Sequence, residues 1–458
     1  MRSRDMDMLH GSLTDKLVLF TIPLALSSIL QQLFNSADLA VVGRFDSSAA
    51  MAAVGSNAAL INLVISLFTG LSVGANVVVA ALIGRGEIKQ ISGAVHTIIT
   101  LAIVSGFVLM GIGEGIAPVI LRMVGTPEDV LYLAERYLRI YFLGMPFFLI
   151  YDFGSAILRA KGDSARPLYA LIISGILNVV LNLTLVICFR LGVAGVAIAT
   201  VLSNGVSAGL VLGMLMREEG AYRFTWRGMK IQRRVLLDII RIGAPAGIQG
   251  MVFSLSNVVI QSGINSFGSA CIAGNTAGQN FEYMAYFVVN GYAQTAVTFT
   301  SQNFAAGNVD RCRQIYRRTE LLALVCTAAV SVFFLIFRYP LIGIFTADPE
   351  VTRYAMIRMY WIMSIELLTS SYEISGGCLR GMAHSMVPAA ETILGCCVFR
   401  LFWVATVFRV HHSIHVLMSV YIITWGITAA MVIPSYFIIR NKEFRKLDGR
   451  RQKLALTS

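Results

Sequence analysis

Roughly twelve runs of about twenty mostly apolar residues follow one another along this chain, each separated from the next by a short polar or charged break. A run of that length is what a helix needs to cross a bilayer, and a bilayer tolerates only helices or closed barrels, because its interior offers no water to unpaired backbone groups. Composition agrees: of 458 residues, 56% are hydrophobic and 14% charged, more apolar surface than a soluble core covers. The expected spans lie at about 17–43, 50–82, 92–113, 131–158, 167–189, 194–215, 236–263, 274–305, 319–338, 353–379, 388–408 and 415–439. The expected fold is an all-α membrane protein.

The net charge of +12 follows membrane topology. About 27 of the 37 Lys and Arg fall on the side shared by both ends of the chain, and about six in the opposite loops, so the positive-inside rule places both ends in the cytoplasm of a cell (inner) membrane. No separate basic domain exists to carry a nucleic acid. The opening MRSRDMDMLHGSLTDK is too polar for the apolar part of a signal sequence, and no cleaved signal is expected. Seven cysteines, an odd number without C-x-x-C spacing, argue against a disulfide frame or zinc site. HHSIH, His411 to His415, lacks acidic neighbours and is not read as a metal site.

The chain is also written twice. YDFGSAILRAKGDSARP, Tyr151 to Pro167, and YEISGGCLRGMAHSMVP, Tyr372 to Pro388, share an acid, Leu-Arg, Ser and Pro at matching places, with an offset of 373 − 152 = 221. Thr21 to Phe45 aligns with Gly243 to Phe267, matching Pro23 to Pro245 and Asn35 to Asn257, and GTPE at Gly125 to Glu128 meets ADPE at Ala347 to Glu350. All offsets are 221 or 222. Each half is therefore one unit of about six helices, expected as residues 1–225 (helices 1–6) and 226–458 (helices 7–12 with a basic tail), joined by the basic stretch near Arg217 to Lys230.

Six is even, so both units cross in the same sense, related by a pseudo-twofold axis along the membrane normal. Parallel repeats of this kind build transporters that alternate access by rocking one bundle against the other. An intramembrane enzyme needs a catalytic constellation, and none is read here; the chain is taken as a non-enzyme. Each doubled motif ends the fourth helix of its bundle at the cytoplasmic face. Asp152 and Arg159, like Glu373 and Arg380, stand seven apart on one helix face, as a structural ion pair, an inner-gate contact, or a direct participant in ion or substrate movement.

Carboxylates within a bilayer cost roughly 2.5 to 3.5 kcal/mol on insertion scales, so each marks a candidate site. Ser27, Gln31, Asn35 and Asp38 form one polar stripe on the first span, and Pro23 near its inner end allows a bend. Glu282, beside Tyr283 and Tyr286 on the eighth span, is either a subsite for lipophilic cations or an acid facing water. Counting about 1.5 Å per residue puts Glu366 of the tenth span about 21 Å in and Arg400 of the eleventh about 18 Å in, a shared depth that suggests an ion pair. Gly70 and Gly74 have the spacing of close helix packing.

The pattern P-x(11)-N-x-x-D-x-x-x-V-G-R-F in the first span, LRAKGDSARP after the fourth, GVAGVAIATVLSN in the sixth and SQNFAAGNVDR after the eighth resembles the multidrug and toxic compound extrusion (MATE) family, bacterial type, over about Thr14 to Arg440. The resemblance implies two six-helix lobes in a V, exporting organic cations or amphipathic compounds in exchange for Na⁺ or H⁺. It implies an N-lobe cation site of Asp38, Asn178, Asn182 and Thr200, where the family has a carboxylate at the place of Asn182. The Asn residues, Asn35 included, serve either as ligands or as interhelical hydrogen-bond glue. At the repeat position of Asp38 stands Ile260, so a family-type C-lobe site is incomplete. The implied partners are a small amphipathic or cationic substrate and membrane lipids, with a monomeric chain and no cofactor besides the coupling ion. Two rivals remain open: a related lipid-linked oligosaccharide flippase, which would carry a strongly basic cavity, and a channel or non-transporting scaffold, which would drive no uphill movement.

Overall fold

The computed structural model describes residues 6–123 and 128–457, and Gly125, Thr126 and Pro127 of GTPE lie outside them. The described chain is helical almost throughout: α1 (Thr14–Phe45), α2 (Ser48–Gly84), α3 (Ile88–Met123), α4 (Glu128–Leu143), α5 (Met145–Lys161), α6 (Ala165–Leu183) with a π-helical turn at Thr184–Cys188, and α7 (Gly192–Met216). After the connection come α8 (Arg233–Asn265), α9 (Ser269–Ala305), α10 (Val309–Ile336), α11 (Arg338–Gly343), α12 (Pro349–Met363) and α13 (Glu366–Gly381). The chain ends with α14 (Met386–Thr392), α15 (Phe399–Trp403) and α16 (Ile414–Thr457), with π-helical turns at Ile393–Val398 and Val404–Phe408 on either side of α15.

Among the described residues nine helices are long and apolar enough to cross a membrane, and ten if α4 and α5, bent by 47° at their junction, form one span. The other two of the expected twelve are α9 and the α12–α13 pair. α9 is long enough but too rich in Asn, Gln, Ser, Thr and Tyr, and α12 and α13, of 15 and 16 residues, are each too short alone and carry Arg358, Glu366 and Glu373.

The repeat extends to the backbone. Gly162 ends α5 at φ 107°, and its counterpart Ala383, 221 residues on, follows α13 at φ 65°. Glycine adopts this left-handed conformation freely, whereas alanine adopts it at a cost of roughly 1–2 kcal/mol. Pro167 and Pro388 each sit in the first turn of the following helix, where an amide N–H is dispensable. In ADPE, Asp348 caps α12 by accepting from the amides of Glu350 and Val351 at 2.8 and 3.1 Å.

The compact units divide the chain differently from the lobes expected at residue 225. Leu26–Ala244 forms the body of unit 1, while Asp7–Ala25 joins Pro245–Ser458 in unit 2. The divisions fall just after Pro23 in α1 and just before Pro245 in α8.

In unit 2 the N-terminal segment is held by side chains. Arg311 donates to the carbonyls of Met8, His10 and Gly11 at 3.0, 3.1 and 3.1 Å, and Asn303 donates to Met8 O at 3.1 Å. Thr21 and Thr295 share a buried hydrogen bond of 2.8 Å, and Phe20 packs edge-on against Phe299.

In unit 1 the connecting stretch is docked rather than free. Phe224 is buried against His96, the Thr225 amide donates to His96 Nε2 at 3.2 Å, and Glu218 accepts from Lys161 and Arg166 at 2.5 Å each. The glycine spacing of α2 serves close packing: a Cβ on Gly74 would stand 2.5 Å from the Ile239 carbonyl, and one on Gly243 would stand 2.6 Å from Leu71 Cα.

Candidate functional site

In unit 1, α1, α6 and α7 bring four polar side chains together. Asp38, only 6% exposed, accepts a hydrogen bond from Asn182 Nδ2 through Oδ1 and another from Thr200 Oγ1 through Oδ2 at 3.2 Å. The same Asn182 amide donates to Asn178 Oδ1 at 3.1 Å, and Asn178 Nδ2 reaches Thr200 Oγ1 at 3.5 Å. Asn178 and Asn182 sit one helical turn apart on α6, which aims both at α1. The turn that follows is π-helical, a local widening that recurs at functional positions. Val41, Val42, Val186, Val196 and Tyr137 belong to one buried apolar cluster in the same part of the unit.

No Lys, Arg or His stands at ion-pair distance from Asp38 among the described residues, so its charge is met only by neutral donors. A buried carboxylate in that position must take up a cation or a proton. The oxygens of Asp38, Asn178, Asn182 and Thr200 are hard ligands of the kind Na⁺ uses, once the Asn182 amide turns its buried, unpartnered Oδ1 inward. A proton needs Asp38 alone. Asn35, expected on the same stripe, is exposed and stands apart from these bonds.

The doubled motif forms a pair in each unit. Arg159 Nη2 lies 3.8 Å from Asp152 Oδ1 and 3.5 Å from Ser72 Oγ; Arg380 Nη1 lies 3.6 Å from Glu373 Oε2, while its Nη2 donates to Gln249 Oε1 at 2.9 Å. Each ion pair lies within one helix, and the arginine's further bond, to Ser72 of α2 or to Gln249 of α8, links that helix to its neighbour.

In unit 2 two expectations are corrected. Glu282 is neither an open subsite for cations nor an acid in water: Arg358 of α12, which the sequence reading passed over, donates to its Oε2 through Nε at 2.9 Å and Nη2 at 2.6 Å, and to Asn275 Oδ1 through Nη1. Tyr283 accepts from Gln279 Nε2 at 2.8 Å, and Tyr286 is half-buried. Glu366 and Arg400 do not pair. Glu366 starts α13, where the helix dipole favours its charge, and its Oε1 accepts from Thr369 Oγ1 at 3.1 Å. Arg400 instead donates to Asn257 Oδ1 at 2.6 Å. Equal depth did not bring them together because they face different neighbours.

A chain of repeated, membrane-length helices with a carboxylate buried among α1, α6 and α7 has the make-up of an integral membrane transporter rather than an enzyme. The MatE family model matches residues 23–184 and again 245–405, so the chain belongs to the MatE family, and the two matches are the two halves of the repeat. Among curated proteins it is 29% identical over 384 residues to the probable multidrug resistance protein YoeA of Bacillus subtilis, covering 82% of each chain. It is 28% identical over 400 residues to the probable multidrug resistance protein YpnP of the same organism, covering 87% of this chain and 88% of that one. Among solved structures, a MATE protein in complex with MaL6 superposes with a TM-score of 0.89 at 21% identity, covering 97% of this chain and all (100%) of the other.

Proposed function

We propose that this transporter is a cation-coupled antiporter that exports cationic or amphipathic small molecules by alternating access, with both ends of the chain in the cytoplasm and one chain as the working unit. The names of its curated relatives, probable multidrug resistance proteins, support the substrate class. The observation that carries the coupling is the buried Asp38 carboxylate, hydrogen-bonded by Asn182 and Thr200 and faced by no basic side chain among the described residues. Entry of Na⁺ or H⁺ neutralises it and changes what α1 holds on α6 and α7. Since Asp7–Ala25 of the same helix region packs within unit 2, α1 is the element through which occupancy of the site is felt in both units.

The energetics suffice. For an uncharged substrate, one ion entering down 100 mV supplies about 2.3 kcal/mol against about 1.4 kcal/mol for each tenfold gradient of substrate; a monovalent cation exchanged one for one moves no net charge, and there the ion's own concentration gradient, again about 1.4 kcal/mol for each tenfold, drives export. The test is efflux of a lipophilic cationic dye from vesicles holding the purified protein, with Na⁺ and pH gradients imposed separately. Dye movement should follow one of the two gradients and vanish in Asp38→Asn. Movement that ignores both gradients, or is unchanged in the variant, refutes the proposal.

A further inference from the structure

At the repeat counterpart of the Asp38 site the fixed charge is reversed. Two members of the Asp38 site have counterparts in unit 2 at the repeat offsets, Asn178 in Arg400 at 222 and Thr200 in Tyr421 at 221, and Asn35, which stands outside that site, corresponds to Asn257 at 222. These counterparts meet, as Asn178 and Thr200 do in unit 1. Arg400 donates to Asn257 Oδ1 at 2.6 Å, and its guanidinium lies 4.9 Å from the ring centre of Tyr421 and 5.3 Å from that of Phe253. Where unit 1 places Asp38, unit 2 has Ile260, and the fixed charge is the arginine.

Arg400 is 0% exposed, yet its Nε and Nη2 have no hydrogen-bond partner among the described residues. A guanidinium stays charged in a protein, and a buried charge of this kind calls for a counter-charge. Aromatic rings lie over it and Nη1 is taken, which leaves the side-on edge formed by Nε and Nη2. That edge matches a carboxylate in two parallel bonds. The same unit shows this edge meeting a carboxylate: Arg358 turns its own Nε and Nη2 on one oxygen of Glu282 at 2.9 and 2.6 Å. Arg400 has no Asp or Glu at ion-pair distance among the described residues. The π-helical turns on both sides of α15 add a second sign, since such turns insert a residue at a cost and recur where a side chain is aimed for a purpose.

We infer that the Nε–Nη2 edge of Arg400, with Asn257 and Tyr421, is a binding site for a small anionic group, either a carboxylate carried by a transported compound or a free inorganic anion. The transporter would then accept acidic amphipaths besides cations.

The test is equilibrium binding of radiolabelled benzoate and of radiolabelled chloride to the purified full-length protein, with neutral benzamide as competitor. Saturable binding that benzamide does not displace is expected for the wild type. A loss of at least tenfold is expected in Arg400→Met and in Asn257→Asp, the latter placing a carboxylate beside the guanidinium and so keeping the pocket folded. Asp38→Asn should bind as the wild type does, which separates this site from the coupling site. Benzoate binding without chloride binding assigns the anion to an organic substrate; chloride binding that displaces benzoate assigns it to any small anion. Absence of saturable binding in the wild type, or binding as tight as the wild type's in Arg400→Met and Asn257→Asp, overturns the inference. Binding that emerges only in Glu366→Gln also overturns it, because Glu366 would then be the counter-charge.

Discussion

Arg358 of α12 donates two hydrogen bonds to a single oxygen of Glu282 on α9, at 2.9 and 2.6 Å, and both side chains are nearly closed off from solvent. Breaking such a pair strands a buried charge, at a cost of about 3–5 kcal/mol. Glu282→Gln and Arg358→Met should each lower the melting temperature of the purified protein strongly. The double variant should recover part of the loss, since nothing charged is left unmatched. Equal melting in all four proteins would show that the pair contributes nothing.

On the proposed coupling role of Asp38, Asn182 is the residue that sets the ion preference of the unit 1 site. With one carboxylate, the cluster holds a single negative charge against a cation. Asn182→Asp adds a second, beside Asp38 and Asn178. Attraction for Na⁺ should rise by at least about 1.4 kcal/mol, roughly tenfold, seen as a lower Na⁺ concentration for half-maximal dye efflux. A response to the pH gradient alone, unaltered by Na⁺, would mean that the added acid takes a proton instead.

Arg311 holds three carbonyls of the N-terminal segment. Bonds to a charged donor are worth about 1.5–3 kcal/mol each when buried and less at a surface. Arg311→Ala should therefore speed amide hydrogen exchange across residues 8–13 by at least tenfold, while the interior of α10 exchanges as before. Unchanged exchange would show that Asn303 and the Thr21–Thr295 contact suffice.

Gly74 meets the backbone of α8 so closely that an added methyl would lie 2.5 Å from Ile239 O and 2.8 Å from Gly243 N. Gly74→Ala must push the two helices apart, whereas Gly55→Ala, on the same helix with nothing within 4 Å, should be tolerated. The comparison is read as folded yield and melting temperature; a loss of about 1–3 kcal/mol is expected for the first. The pairing controls for helix propensity, since both changes are Gly to Ala.

The fold was written plainly in the apolar runs and their repetition, because a bilayer leaves a helix as the solution for each run. The members of the Asp38 site were legible as polar residues in apolar spans, but their meeting across sequence separations of 144 and 162 followed from family resemblance, not spacing. Asn35 went astray because three residues along a helix turn about 300°, leaving it some 60° from Asp38 and facing outward. Arg358 was passed over since an arginine near the end of an apolar run reads as a boundary residue. The Glu366–Arg400 expectation used depth alone, and depth does not say which way round a helix a side chain points. The interruption at Ser364 and Ile365, which makes Glu366 a helix N-terminus, carries neither Pro nor Gly to announce it.

The two stretches that fall short of a spanning helix in apolarity or length, α9 and α12–α13, are the ones the Glu282–Arg358 bond joins. During synthesis α9 emerges first, and its acid waits for an arginine that arrives some seventy residues later, after α10 has been threaded (76 positions separate the pair). Insertion of the second half is thus predicted to be cooperative rather than stepwise. A ribosome stalled before residue 358 should leave α9 loosely seated in the lipid, accessible to reagents that the finished protein keeps out.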